Sequence, residues 1–391
     1  MLIKRASRFL STGRTNVCFL IALSKTVWYN KQEDNKGRLS SMTIEELKIR
    51  QLTNQYLITK GKKKDVVRDL CGVQSQFLVN AIHSLKIRCF DFDEDTVKDG
   101  LVKNWTVRST VHVFSEKDLP LFIRCNNGED YRKNTWEGYT FWNQRDKWAL
   151  SPERQTYLSE VILRSLEDSS KTRDELKEIC RKNGMTYAEE TCIFDPWGGG
   201  ICQLCKRGFI NYVVQEKKAY CLSPEFTPIP DEDAKLEIAR RYFTNIAPAT
   251  VHDAMYFLGA KQSEVKKWLS LLPAESTEVD GKTYFYIENG RKYEKGIPKC
   301  ILLAGFDQLM LGYQKKESLY LPSEHLRGIF NLAGIVMPAI LLDGKVVGKW
   351  KKKNSKLTFT LFETVSASDK KAISSEAEKL WKDIKKIEFE G

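Results

Sequence analysis

Three times in succession the chain runs through two or three helical segments into a pair of short β-rich runs joined by a tight turn. The first unit has helical periodicity over residues 44–57, 63–71, 77–88 and about 94–102, followed by β-rich runs at 105–108 and 110–114. The second is the most clearly punctuated. Ser151-Pro152-Glu153 opens a helix with an N-cap and an N1 proline, and Thr172, three residues before Glu175, forms a capping box. After Gly198-Gly199-Gly200 comes a short helix to Arg207, then strands over 209–214 and 219–222 around Glu216-Lys217-Lys218. The third unit has helices over 231–244, 249–258 and 263–271, with strands over 276–279 and 282–287. Asp280-Gly281 between those strands favours a two-residue hairpin turn. Helices followed by such a hairpin describe a winged helix, whose third helix can enter a DNA groove while the hairpin touches the backbone. One such unit serves equally well as a structural or protein-binding module; three in one chain favour a nucleic-acid scaffold.

The last quarter changes character. Residues 300–303, 338–342, 345–351 and 356–362 are β-rich, Asp343-Gly344 closes a hairpin, and a helix is expected over 369–387. The fold expected is α+β: three tandem winged-helix domains at 42–148, 149–228 and 229–290, braced by a β-barrel-like domain at 291–391. Lys349 and Lys351, within the basic run around Trp350, sit where a strand end can either discourage edge pairing or contact phosphate.

Residues 1–41 carry eight basic and two acidic residues, so half of the +12 net charge belongs to them. With Met42-Thr43-Ile44-Glu45-Glu46-Leu47 reading as a fresh helix start, this stretch is expected to be an upstream extension, disordered or mistranslated, with a targeting peptide as the alternative. The remaining excess permits DNA binding without demanding it. No apolar run approaches the roughly 18 residues that span a bilayer. Ten cysteines scattered through so long a chain read as reduced and intracellular. The tight pair Cys202 and Cys205, with Cys192 and Cys221 nearby, lacks the second clustered pair that a structural zinc usually needs. No metal or cofactor is expected, and the location expected is the cytoplasm.

Candidate chemistry begins at Gly72-Val73-Gln74-Ser75-Gln76. In an extended segment the side chains repeat every two residues, so Gln74 and Gln76 would point the same way and Ser75 oppositely. Two amides offer acceptors and donors that can hold one water without adding charge; solvated loop residues are the plainer reading. Arg108 presents a guanidinium fork matched to oxyanions. His112, close by on the first wing, either shares the mouth of a DNA channel with it or is a strand histidine satisfied locally. Asp307 either orients a glutamine or caps a turn; His83, His252 and His325 receive no role. Tyr131, Trp136, Tyr139, Phe141, Trp142 and Trp148, interleaved with Arg132, Lys133, Arg145 and Lys147, either stack on bases or seal the first unit against the second.

Taken together, Arg50-Gln51, Gly72 through Gln76, Trp105-Thr106-Val107-Arg108-Ser109-Thr110-Val111-His112-Val113, Phe306-Asp307 with Leu311-Gly312-Tyr313, and Gly334-Ile335-Val336-Met337-Pro338 through Asp343-Gly344-Lys345-Val346-Val347-Gly348-Lys349-Trp350 resemble the AlkZ-like winged-helix family of bacterial DNA glycosylases. The resemblance implies three winged helices in a C shape around a DNA channel, braced by a β-barrel, with a catalytic Gln-apolar-Gln pattern falling on Gln74 and Gln76. Ser75 departs from that pattern, and Gly305 stands where a proline is expected.

A purine alkylated at N7 is cationic and leaves as a neutral base, so the remaining task is to position water against an oxocarbenium-like sugar. Orientation alone lowers such a barrier by several kcal/mol, and an uncharged glutamine is suited to it. The function expected is hydrolysis of the N-glycosidic bond of N7-alkylated purines in double-stranded DNA by a monomeric, monofunctional glycosylase that also unhooks interstrand crosslinks. Two other classes remain open: a non-catalytic DNA-binding regulator, which would prefer one sequence, and a protein-interaction scaffold, which would not bind DNA.

Overall fold

The structure is a computed structural model, and it describes residues 42–123, 150–195 and 199–391. Residues 1–41, the aromatic segment from Tyr131 to Trp148, and Gly198 lie outside the described residues.

Helix α1 (Ile44–Asn54) starts at Thr43, whose hydroxyl accepts from the Glu46 amide while the Glu46 carboxylate accepts from the Thr43 amide. After α2 (Lys63–Asp69) the chain turns at Gly72, with φ of 83° and so little room that a Cβ would lie 3.0 Å from the Val113 carbonyl oxygen. Only glycine meets both conditions without strain. The turn delivers β1 (Val73–Gln74) against β3 (Val111–Ser115), with Val73 opposite Val113 and Gln74 opposite His112. Helix α3 (Leu78–Arg88) follows at once.

Two expectations fail in this unit. No helix forms over 94–102: the Asp93 carboxylate accepts from the Asp95 amide and the Thr96 hydroxyl, making a turn, and β2 (Leu101–Trp105) then begins. Nor is 105–108 a strand. Trp105 closes β2, and Val107–Ser109 is one 3-10 turn with Arg108 and Ser109 in the left-handed region, at φ of 58° and 51°. Arg108 therefore sits at the tip of the β2–β3 hairpin.

The second unit comprises α4 (Pro152–Ser165), β4 (Lys171–Thr172), α5 (Arg173–Lys182), α6 (Tyr187–Ile193), α7 (Gly200–Lys206), β5 (Ile210–Tyr212) and β6 (Ala219–Leu222). Helix α6, unforeseen, has its own capping box of Thr186 and Glu189. The strands of the first two units join in one six-stranded sheet ordered β1-β3-β2-β5-β6-β4. At the seam Lys103 faces Tyr212, and the Asn104 side-chain amide donates to Asn211 Oδ1 at 2.7 Å and to the Cys205 carbonyl at 2.9 Å.

The third unit follows the expected order: α8 (Asp231–Asn245), α9 (Val251–Leu258), α10 (Gln262–Leu271), then β7 (Glu275–Val279) and β8 (Lys282–Tyr286) hairpinned through Asp280 and Gly281. The C-terminal part contains β9 (Cys300–Leu302), a one-turn helix α11 (Gln308–Leu311), β10 (Ala339–Leu342), β11 (Lys345–Lys353), β12 (Lys356–Leu361), helix α12 (Ala367–Leu380) and β13 (Lys386–Glu390). Where a β-barrel-like domain was expected, the strands form an open five-stranded sheet, β13-β12-β11-β10-β9, with no closed barrel among the described residues. Its two edge strands, β9 and β13, do not pair with each other, and β13 runs parallel to β12. The helix expected over 369–387 stops at Leu380 because the following residues supply that strand.

The first unit, the third unit and the C-terminal sheet bury their apolar residues in one continuous core, whereas the second unit has a core of its own. Charged pairs brace the larger core. Arg88 and Asp307, both fully buried, form two hydrogen bonds of 2.9 and 2.6 Å between α3 and the cap of α11, and Arg241 of α8 forks onto Asp118.

Candidate active site

The tip of the β2–β3 hairpin rests on the third unit. Arg108 lies with its guanidinium 4.9 Å from the centre of the Phe257 ring on α9, a cation-over-ring contact. Around it Thr106, Val107, Ser109, Lys235, Ile238, Leu258, Gly259 and Trp268 line a cleft of about 350 Å³. Lys235 is ion-paired with Asp231 and Glu232. Arg108 has no carboxylate partner among the described residues, and its Nη1 is buried without a hydrogen bond. Burial lowers the guanidinium pKa to about 10, so it stays cationic at neutral pH.

Its other nitrogen, Nη2, donates to Gln74 Oε1 at 3.1 Å and to His112 Nε2 at 3.3 Å. A guanidinium only donates, which fixes two ambiguities at once. The Gln74 oxygen must face Arg108, leaving its NH2 group to donate elsewhere. His112 must accept at Nε2, so its proton is on Nδ1, between Thr106 Oγ1 at 2.8 Å and the Thr110 carbonyl at 3.1 Å. Burial, and then the Arg108 charge, hold the imidazole pKa down at about 3. His112 is therefore neutral at physiological pH, and at 1% exposure it is interior, not at a channel mouth. The reason is register: opposite Gln74 on β3, its side chain is enclosed by Thr106 and Arg108.

The two glutamines differ. Gln74 is 5% exposed and held as above; Gln76 is exposed, with no hydrogen bond to a described residue. The strand ends at Gln74, so the two-residue repeat does not extend to Gln76. Ser75 is fully buried, and its hydroxyl reaches the Val111 carbonyl at 3.5 Å, giving the polar group in the Gln-apolar-Gln pattern a place. Gly305 likewise has a reason here, since a Cβ would lie 2.8 Å from the Asn80 side chain of α3.

Asp307 caps α11 through the Leu309 amide and neutralises Arg88; its contacts support α3, the helix after Gln76, and do not include a glutamine. Lys349 and Lys351 lie on β11, away from these groups in the fold's order. Beyond Lys349 that strand pairs only with β12, so Lys351 stands on a free edge. Trp350 between them points inward and donates to the Leu303 carbonyl. The eight described cysteines form no disulfide with one another, and among the described residues no cluster of three or more His, Cys, Asp or Glu is placed to hold a metal. No described helix is long and apolar enough to cross a membrane. Sequence reasoning assigned no role to Phe257 or Thr106; Phe257 joins the site through a tertiary contact that carries no local pattern, and Thr106 through a bond to His112 across its own hairpin.

Comparison with known proteins gives a concordant picture. A family model described as DNA glycosylase AlkZ-like matches residues 67–382. A curated protein of Streptomyces sahachiroi, named interstrand DNA cross-link repair glycosylase, is 26% identical over 342 residues, covering 82% of this chain and 90% of that protein. The solved structure of the Streptomyces sahachiroi DNA glycosylase AlkZ superposes with a TM-score of 0.71 at 21% identity, over 90% of this chain and 99% of that one.

Proposed function

The chain belongs to the AlkZ-like DNA glycosylase family, and from that premise we propose that it hydrolyses the N-glycosidic bond of N7-alkylated purines in duplex DNA, crosslinked ones included, by the monofunctional route. The observation that carries this reading is the unpaired guanidinium of Arg108 joined to Gln74 in an open cleft. A partly desolvated cation with no acid beside it among the described residues is costly to the free protein, and a DNA phosphate supplies the missing charge through a charge-assisted bond.

Gln74 and Gln76 then take different parts. Gln74, its oxygen engaged, donates from Nε2 and fixes the position of the attacking water or the sugar. Gln76, exposed, accepts a hydrogen bond from the water at its amide oxygen and directs the water's lone pair at C1′; the proton that water loses on forming the C1′–O bond passes to solvent. Neither needs to ionise, in keeping with a leaving group already activated by alkylation, and correct placement is worth several kcal/mol. His112, neutral and donating from Nδ1, keeps Arg108 in place. The helix–hairpin units act as winged helices on the duplex, with Lys349 and Lys351 available to its backbone and a single chain sufficient for the reaction.

The deciding experiment is incubation of the protein with a duplex carrying one N7-methylguanine, followed by alkaline cleavage. Wild type is expected to cut well above spontaneous depurination. Gln74→Ala and Gln76→Ala should each slow release about 100-fold, the scale for one lost positioning group, while Kd for undamaged duplex changes less than about threefold. Undiminished release by both single variants and the double variant would remove the glutamines from the mechanism.

A further inference from the structure

Leu332 is 88% exposed, more than any other large apolar side chain described. A single exposed leucine means little by itself; its mounting is what gives it meaning. Asn331 to Gly334 form a tight turn in which the Asn331 amide donates to the Ile335 carbonyl at 3.1 Å, Asn331 Oδ1 accepts from the Ile335 amide at 2.8 Å, and Gly334 adopts a φ of 76°. Phe330 and Val336 close the turn as an antiparallel bridge. Leucine thus stands at the tip of a short loop fixed by its own backbone.

The base of that loop is tied to the candidate active site. The Phe306 amide donates to the Val336 carbonyl at 3.1 Å, and the Phe306 ring lies 6.0 Å from Phe77, the residue after Gln76. At the rise of a strand the tip projects roughly 7 Å beyond the bridge. The flanks are cationic: Lys315 sits 5.9 Å from the Phe330 ring centre, and exposed Arg327 precedes the turn. Neighbouring Asn331, Ala333 and Gly334 are small or polar. One leucine among them covers far less than the roughly 800 Å² per partner of a stable protein interface, whereas an apolar wedge flanked by cations suits a base step between phosphates.

We propose that Leu332 enters the base stack of duplex DNA beside the nucleotide held at Gln74 and Gln76 and unstacks it. The proposal rests on the glycosylase reading above, in that it assigns the duplex to that face of the molecule. Separating the target from its neighbour opens the sugar to water, and a damaged base costs less to unstack than an intact one.

The test uses a duplex with 2-aminopurine next to one N7-methylguanine, and the full chain as wild type, Leu332→Ala and Leu332→Met. Wild type should raise the fluorescence on binding, Leu332→Ala should abolish the rise and slow excision about tenfold, and Leu332→Met should restore both. Because the side chain is exposed, all three should share one urea midpoint. Equal fluorescence from wild type and Leu332→Ala overturns the wedge. Failure of wild type to excise the adduct at all instead overturns the glycosylase reading, and the fluorescence comparison still judges the wedge.

Discussion

Arg108 shows how one side chain can be held against its own interest. In the free protein Arg108 is half-buried, its Nη1 enclosed without a hydrogen bond, and its contacts Gln74, His112 and Phe257 are neutral; among the described residues no carboxylate offsets the desolvation of its charge. Replacement by methionine of similar length should therefore stabilise the fold, by about 1 kcal/mol or more in urea unfolding, while weakening DNA binding and excision. A variant both less stable and fully active would contradict the role assigned to it. Gln74, Arg108 and His112 were each singled out in the sequence, but as separate candidates; the hydrogen bonds that join them were not legible there. That Arg108 lacks an acid was not legible, because it depends on Phe257 and the rest of the third unit, far along the chain. The equal footing expected of Gln74 and Gln76 was read from a strand period that the backbone abandons after Gln74.

Among elements, α3 has the most riding on it, since it begins just after Gln76 and ends at Arg88. Its far end is fastened by the fully buried pair of Arg88 with Asp307, and Arg88 also donates to the Gln55 carbonyl and to Ser84. Breaking one partner of such a pair leaves the other buried and unpaired, at a cost of about 3–5 kcal/mol. Asp307→Ala should lower unfolding stability by that amount and reduce excision through misplacement of Gln76. The double variant Arg88→Met, Asp307→Ala should recover a large part of the loss; additivity of the two single effects would show that they are not coupled. Helices were the most readable elements, since caps are local signals: the Thr172 and Glu175 box appears as expected. Strands at the first wing were misplaced by a few residues because β-rich composition does not say where pairing stops, and at Arg108 the chain turns in a left-handed conformation that no residue type there announces. The sheet's failure to close was equally hidden, as β13 acquires its place only by pairing in parallel with β12.

At the scale of the whole molecule, acid should act through two interior histidines. His83 joins α3 to the C-terminal sheet, donating to the Leu302 carbonyl at 2.7 Å and stacking on Trp381, and burial lowers its pKa to about 4; His112 lies at about 3. The unfolded chain binds protons at both as pH falls below about 6.5, while the folded chain does not until far lower. Stability is thus complete above that value and falls between it and the folded pKa values, by on the order of 2–3 kcal/mol per histidine at pH 4.5. Urea midpoints at pH 7 and 4.5 should show the drop, and His83→Gln should shrink it; an unchanged drop in that variant would assign it to other groups.

The junction of β2 with β5 carries a further consequence. Since the second unit has its own core yet continues the first unit's sheet, excising it would leave the excised unit and the rest of the chain each with a bare ladder of backbone groups. Such margins invite copies to zip together, so dissected fragments should precipitate where the intact protein stays dispersed.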